Sequence, residues 1–540
     1  MRCGLNQFSR ATIFTGLLLF SAAPVVFAHS AEQQTAKREF SKTLTLGANQ
    51  TLAVENRFGE VRIHGENVRE AKITATIKVQ AKSQEKADHR ADAIHIEVSQ
   101  DAQGIKVRTV NTEEHFITIT IGDNPSFSVD YDITVPNDAR LWVKNAFGNV
   151  DVRDVQGWSE IVNSNGNVAL HDSGSAKLTN SFGSVEAGNA SGKLSVINAN
   201  GAVTVAGVKG DLDVKDRFAA ITVSAVQGAV SVSGGNGPVE LTDVGASVVN
   251  DSFGPVTARN VHGDITINDN NGVIDVNTVN GAADLNGSFG AISFTNISGR
   301  VKCTSSNARV HGATAGEVFV KTSFGEVELE QISGPLQVED SNGAVTVKDV
   351  KGYATLSTSF GAIEASGLGK GVHATTGNGR IALNDVGGDA YAKTSFGTID
   401  VQRVTGNLTM ENSNGTVSAR SVSGDASAKT SFGAVKLEDI AGSIVVDNQN
   451  GSVSVTARNA TVCKNISIKT SFSPIQIHVP EGAGYNLSTH TSFGRINSEL
   501  PVTSTGEISG ESLNGKIANG GCTLSLTDSN SNIDILKLNK

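Results

Sequence analysis

The stretch that decides the fold is Thr322-Ser323-Phe324-Gly325, because it returns as Thr358-Ser359-Phe360-Gly361, Thr394-Ser395-Phe396-Gly397 and Thr430-Ser431-Phe432-Gly433. The phenylalanines stand 36 residues apart, at 324, 360, 396 and 432. A constant step of this size marks a repeat architecture, in which no unit can bury its own apolar face and each must stack on its neighbours. Moving outward from these copies, the step halves. Corner residues fall at 147, 165, 182, 200, 218, 236, 253, 271, 289, 307, 324, 342, 360, 378, 396, 414, 432 and 450, with Phe and Asn alternating. Looser copies follow at Phe472, Phe493, Asn514 and Asn530, and one precedes at Asn56-Arg57-Phe58-Gly59.

Aligned on the corner, the remaining positions fall into a grammar. Three residues after it stands Val or Ile in every copy, and five after it usually Val, Leu or Ala. Four before it is apolar (Leu178, Val196, Val214, Leu356, Met410), and six before it usually is too. Period-two alternation on both sides means two short strands per turn, each with one buried face. A second corner closes the turn, as in Asp349-Val350-Lys351-Gly352 and Asp385-Val386-Gly387-Gly388. An open parallel sheet needs crossovers of a dozen or more residues, for which an 18-residue turn has no room. The expected fold class is therefore all-β, a single long β-solenoid of about 18 residues per turn, with right-handed winding favoured. Counting 22 corners from Phe147 to Asn530, the rod should be roughly 105 Å long at about 4.8 Å per turn.

Between Phe58 and Phe147 the pattern breaks. Ala71 to Ala81 alternates like a strand, and Gln84 to Ala93 lacks Gly and Pro and reads as a short helix. Ile94 to Val98, Ile105 to Val110, Phe116 to Ile121 and Val129 to Val135 read as further strands. Residues 66–140 are expected to form a strand–helix–strand excursion that caps the stack, whose end would otherwise expose unpaired backbone. The chain thus divides into a leader over 1–28, an N-terminal segment over 29–140 and the solenoid over 141–540.

The leader reads as a secretory signal: Arg2 and Arg10, an apolar stretch from Ile13 to Phe20, and Val26-Phe27-Ala28 as a cleavage site. No later stretch is apolar enough to span a bilayer, so an exported chain in the periplasm, at the cell surface or secreted is expected. Without Arg2 and Arg10, 42 basic residues face 54 acidic ones, a formal charge of −12. Nucleic acid is excluded as a partner by that balance. The remaining cysteines are Cys303, Cys463 and Cys522. Cys303 sits at an inward position. Cys463 and Cys522 lie three turns apart by corner count, roughly 14 Å in a regular stack, beyond the approximately 7 Å Cα limit for a disulfide. Three free thiols are expected.

The order of motifs resembles the bacterial "putative adhesin" domain-of-unknown-function family of exported β-solenoid proteins. The resemblance rests on the Asn56-to-Ile63 start, the excursion after it and the Tyr131-Asp132-Ile133-Thr134-Val135-Pro136 segment leading into the stack. It continues through the Asn-Gly-x-Val turns to Leu526-Thr527-Asp528-Ser529-Asn530 and Ile533-Asp534-Ile535. It implies an adhesin-like architecture and brings no catalytic residues.

Chemistry-bearing patterns are sparse. The 11 histidines are scattered, no Cys-x-x-Cys exists, and neither a nucleophile elbow nor a phosphate loop is present, so no cofactor or metal is expected. The enzymatic alternative is a polysaccharide lyase or hydrolase on the solenoid scaffold, which would need clustered outward carboxylates. Glu326, Glu328 and Glu330 come nearest, and read better as a solvated charged face. Asp211 and Asp213 offer two carboxylates for Ca²⁺ without further oxygen ligands. Outward residues after the corners are too mixed for an ice-binding array. What remains is surface recognition of a polysaccharide or cell-surface protein, by fold-level analogy. The candidate interaction row is Phe182, Phe253, Phe289, Phe324, Phe360, Phe396 and Phe432. Of 17 Phe after the leader, 12 lie at corners, where a type I turn would push the ring outward.

Overall fold

Alternation of apolar and polar residues is realised coil by coil. In Val327–Ile332, Val327, Leu329 and Ile332 are buried while Glu328 and Glu330 stay outside the core. The strand before the corner, Val318–Lys321, buries Val318 and Val320. Each pairs in parallel and in register with its counterparts one coil away. Val327–Ile332 lies between Val310–Ala315 and Val345–Val350, and Val318–Lys321 between Val301–Thr304 and Leu336–Glu339. The result is a β-solenoid of about 19 coils in chain order, spaced about 18 residues apart. This computed structural model describes residues 33–47, 49–112, 126–458, 462–505 and 509–538. The expected signal segment 1–28 and the expected strand Phe116 to Ile121 lie outside the described residues.

Two backbone columns shape each coil. The glycine after the corner passes so close to the coil below that a Cβ on Gly361 would sit 1.8 Å from the Gly343 carbonyl oxygen. At the second corner one residue per coil takes a left-handed conformation, including Asp349, Asp385 and Asp439 at φ 56°, 56° and 58°. Asn, Asp and Gly tolerate that region best. The recurrent Asp ahead of the second corner suits that conformation, which Ala225, Thr278, Gln331 and Arg403 adopt in other coils.

Both ends depart from simple stacking. At the start, Thr51–Phe58 lies between Arg140–Phe147 and Gly104–Asn111, and Val61–Glu66 lies between Val150–Arg153 and Ser126–Pro136. The excursion thus forms the outermost coil. Beyond it, Glu70–Ala81 and Gln34–Thr45 add antiparallel strands, and Ile94–Asp101 turns back on Gly104–Asn111. The helix Gln84–Ala93 starts at Ser83, whose Oγ accepts from Lys86 N–H, and it buries Ala87 and Ala91. Arg38 ties it to the edge strand through Asp88 and Asp92.

At the other end, Tyr485–His490 does not dock on Ile466–Lys469. Cys522–Thr527 fits between them, parallel to both, and Ile533–Lys537 fits between Ile475–Val479 and Ile496–Ser498. Two expectations fail here for one reason. Asn514 is no corner: it lies in Ser512–Ile517, antiparallel to Tyr485–His490. From Phe147 onward the corners in space number 21 rather than 22. Cys463 and Cys522 are not free thiols but a disulfide, with Cα atoms 5.8 Å apart. Counting turns along the chain separates them, whereas the inserted last coil makes them neighbours. Cys303 is a free thiol and buried, as its inward position required, and burial pushes its thiol up to about 12.

Among the described residues no helix is long and apolar enough to cross a membrane.

Candidate functional site: an exposed phenylalanine edge

A corner of either kind is built from an inner residue, usually buried and polar, then usually a serine, then the Phe or Asn, then the close-packed position usually held by glycine. The inner polar residue turns its side chain into the bend. Asn412 donates to the Gly415 carbonyl at 2.9 Å and to Gly397, one coil below, at 2.7 Å. Ahead of Phe396, Thr394 donates to the Gly379 carbonyl of the coil below at 3.1 Å and accepts from Gly397 N–H at 3.4 Å. The bond within the corner was foreseeable from the Asx or Thr signature. The bond to the coil below was not, although a small polar residue at an inward position is its trace.

Some inner positions carry carboxylates. Burial lifts Asp251 to about 6, with the Asp269 carboxylate one coil on adding to the effect. Burial raises Asp269, Asp340 and Asp528 in the same direction. Asp251 Oδ1 and Asp269 Oδ2 have no hydrogen-bond partner.

With the inner residue holding the bend, the corner residue is left outside. Phe182, Phe253, Phe289, Phe324, Phe360, Phe396 and Phe432 are 57–65% exposed, and so form an outer ridge instead of folding over the glycine. Phe147, Phe218, Phe472 and Phe493 extend it to eleven rings, the last 82% exposed. The Asn corners between them behave differently. Asn342 points its side chain back, so that its main-chain N–H and its Nδ2 both donate to the Ser323 carbonyl, at 2.9 and 2.8 Å. Asn414 does the same to Ser395 and Asn450 to Ser431. Phe corners are therefore teeth and Asn corners gaps, with teeth about 9.6 Å apart at two strand spacings.

The C-terminal insertion keeps this order in space where the sequence loses it. Phe472 and Phe493 follow one another along the chain, but the Asn530 corner lies between them. Asn530 Nδ2 donates to the Ser471 carbonyl at 2.8 Å, and Phe493 N–H donates to the Ser529 carbonyl at 3.2 Å. At the capped end two Phe corners do meet on adjacent coils. There Phe58 stacks on Phe147, with centroids 5.2 Å apart and planes at 14°, and Phe127 packs edge-on to Phe58 at 5.0 Å.

Off the edge, several of the carboxylates that came nearest to forming a site are already partnered. Glu328 is held by Arg309 at 3.3 Å and His311 at 3.5 Å, and Glu326 by Arg309 at 3.4 Å. Asp211 spends an oxygen on the Ala229 N–H at 3.0 Å, and Asp213 lies 3.9 Å from Lys215. Along the second corner run shallow grooves. One of about 740 Å³ includes Thr314, Gln331, Asp349 and Lys351, and one of about 500 Å³ includes Asp385, Arg403 and Arg458. In the second, the arginines are paired: Arg403 with Asp385, and Arg458 with Asp439.

No family model matches the chain, and no curated protein matches it. A solved structure similar to part of it comes from Clostridium sporogenes and is described as a "putative cell adhesion protein". It is 12% identical, spans 45% of this chain and 99% of its own, and superposes with a TM-score of 0.17. Likeness at that level carries no argument about fold or binding.

Proposed function

We propose that this chain is an exported, non-catalytic, adhesin-like rod that binds a cell-surface polymer or a partner protein along its phenylalanine edge. One observation carries the reading: eleven exposed aromatic rings in a single row, one on every second coil. Exposed apolar side chains on a soluble protein are ordinarily scattered singly, so aromatics gathered along one edge mark an interaction surface. The Cys463–Cys522 disulfide supports export, since such bonds persist in oxidising compartments. So does the basic and apolar leader ending at Ala28. No cofactor enters this reading, and the acidic balance disfavours nucleic acid.

The test incubates the purified chain with a panel of polysaccharides, peptidoglycan and intact cells, scoring binding and new chain ends together. Binding without turnover is expected. The triple variant Phe324→Asn, Phe360→Asn and Phe396→Asn should lose at least tenfold in binding, because Asn already serves at the same corner in neighbouring coils and leaves the fold intact. Unchanged binding by that variant removes the edge from the reading. The hydrolase or lyase alternative would centre on Arg309, His311 and Glu328, and only release of new chain ends would favour it.

A further inference from the structure

We propose that the partner seated on the phenylalanine edge is a second copy of this chain, docked antiparallel so that the teeth of each rod enter the gaps of the other. This rests on the edge being the contact surface and names what covers it. The first observation is area. Eleven rings, each 47–82% exposed, present on the order of 1,000 Å² of apolar surface when an aromatic side chain carries about 150–250 Å². A standard protein interface needs about 800 Å² from each partner.

The second observation is composition. From Phe147 to Phe493 the corner residues and their immediate neighbours include one charged residue, Arg217; the rest are Phe, Asn, Ser, Gly, Ala and one Gln. Enrichment in aromatics with depletion of charge is the signature of a protein–protein interface core. Just beyond them Glu326, two residues past the Phe324 corner, pairs with Arg309 at 3.4 Å.

The third is period. Teeth about 9.6 Å apart along a row of 21 corners can all engage only a partner with the same spacing. A second copy has it by construction. A two-fold axis perpendicular to the rods, passing between a Phe coil and the next Asn coil, sets every Phe opposite an Asn gap and closes the assembly as an isologous dimer. The Asn side chains, folded back onto the Ser carbonyls, leave room for the incoming rings. The stacked Phe58 and Phe147 show that these rings pack on each other when brought within reach.

The measurement is mass in solution by sedimentation or light scattering, from nanomolar to tens of micromolar, at low and high salt. The wild-type chain should run at twice its own mass and tighten with salt, as two acidic rods require. The Phe324→Asn, Phe360→Asn, Phe396→Asn variant should dissociate at least tenfold more readily with an unchanged circular dichroism spectrum. Glu328→Gln, on a sheet face, should leave the mass unchanged. A wild-type chain that stays monomeric across this range overturns the dimer. If that monomer still binds the polysaccharide panel through its Phe row, the edge takes a polymer and the adhesin-like reading survives. If it binds nothing, both fall. A triple variant that dimerises as tightly as wild type also overturns the proposal.

Discussion

Asp251 occupies an inner corner position where other coils carry Asn or Thr. Its Oδ2 accepts from Gly254 N–H at 2.8 Å, while Oδ1 is directed at Gly234 of the coil below and has no hydrogen-bond partner. Burial favours the protonated acid and lifts it from 3.8 to about 6. The sign follows from linkage: between those values the folded chain holds a proton that the unfolded chain has lost, so this site's contribution is full below pH 3.8 and fades as pH rises through 6. The difference is on the order of 2–3 kcal/mol at neutral pH. Asp251→Asn keeps the acceptor and adds an amide donor such as Asn412 uses. It should raise the urea midpoint at pH 7 and leave it nearly unchanged at pH 3.5; equal shifts at both would contradict the assignment. The second corner offers an independent case. Thr278 is β-branched yet sits at φ 62°, and a left-handed residue other than Gly, Asn or Asp costs about 1–2 kcal/mol. Thr278→Asn should therefore stabilise by roughly half to one kcal/mol in the same assay, less whatever the Thr278 bond to Asn277 supplies.

At the level of elements, sequence and structure agree where the period is strict. Val or Ile three residues after a corner marks the buried start of a strand because only that register puts the alternating set inside. Coils 150 to 479 were legible for that reason. The N-terminal excursion was legible too, its helix falling at Gln84–Ala93 where the lack of Gly and Pro placed it; the C-terminal order was not, since period reports how coils are built and says nothing of the order in which they stack. Tyr485–His490 and Cys522–Thr527 carry similar alternation, and only their pairing shows that the later strand lies inside the earlier one. The disulfide was misread on the same ground. It closes a loop with a sequence separation of 59, for which chain entropy gives about 4 kcal/mol of stabilisation. Without the bond, Cys463→Ser should loosen the inserted last coil before the rest of the rod. Limited proteolysis should then cut near residues 505–521 at lower denaturant than in wild type, and unfolded wild-type chain lacking residues 1–28 should titrate one thiol before reduction and three after. Titrating three before reduction would show the bond absent.

Taken whole, the rod is quasi-one-dimensional: each coil touches only its neighbours, so stability is set by nearest-neighbour interfaces rather than by total length. On the proposed reading the 36-residue repeat is the unit of recognition, while the 18-residue coil is the unit of folding. The distinction can be cut in two. Removing residues 325–360 joins Phe324 to Gly361, keeps strand register on both faces and preserves the order of teeth and gaps. Removing residues 325–342 joins Phe324 to Gly343 and keeps the register too, but it deletes the Asn342 corner and brings Phe324 onto the coil next to Phe360. Those rings should stack as Phe58 and Phe147 do, leaving a tooth where a facing row needs a gap. Both chains should fold with melting temperatures within a few degrees of the parent, since each loses only repeated interfaces. Small-angle scattering should shorten the first by roughly 10 Å and the second by roughly 5 Å. Edge binding should persist in the first and weaken in the second, because the rows on either side of the lesion fall half a period out of step. If the single-coil deletion binds as well as the double, the alternation of Phe and Asn serves packing within the rod and not recognition by its edge.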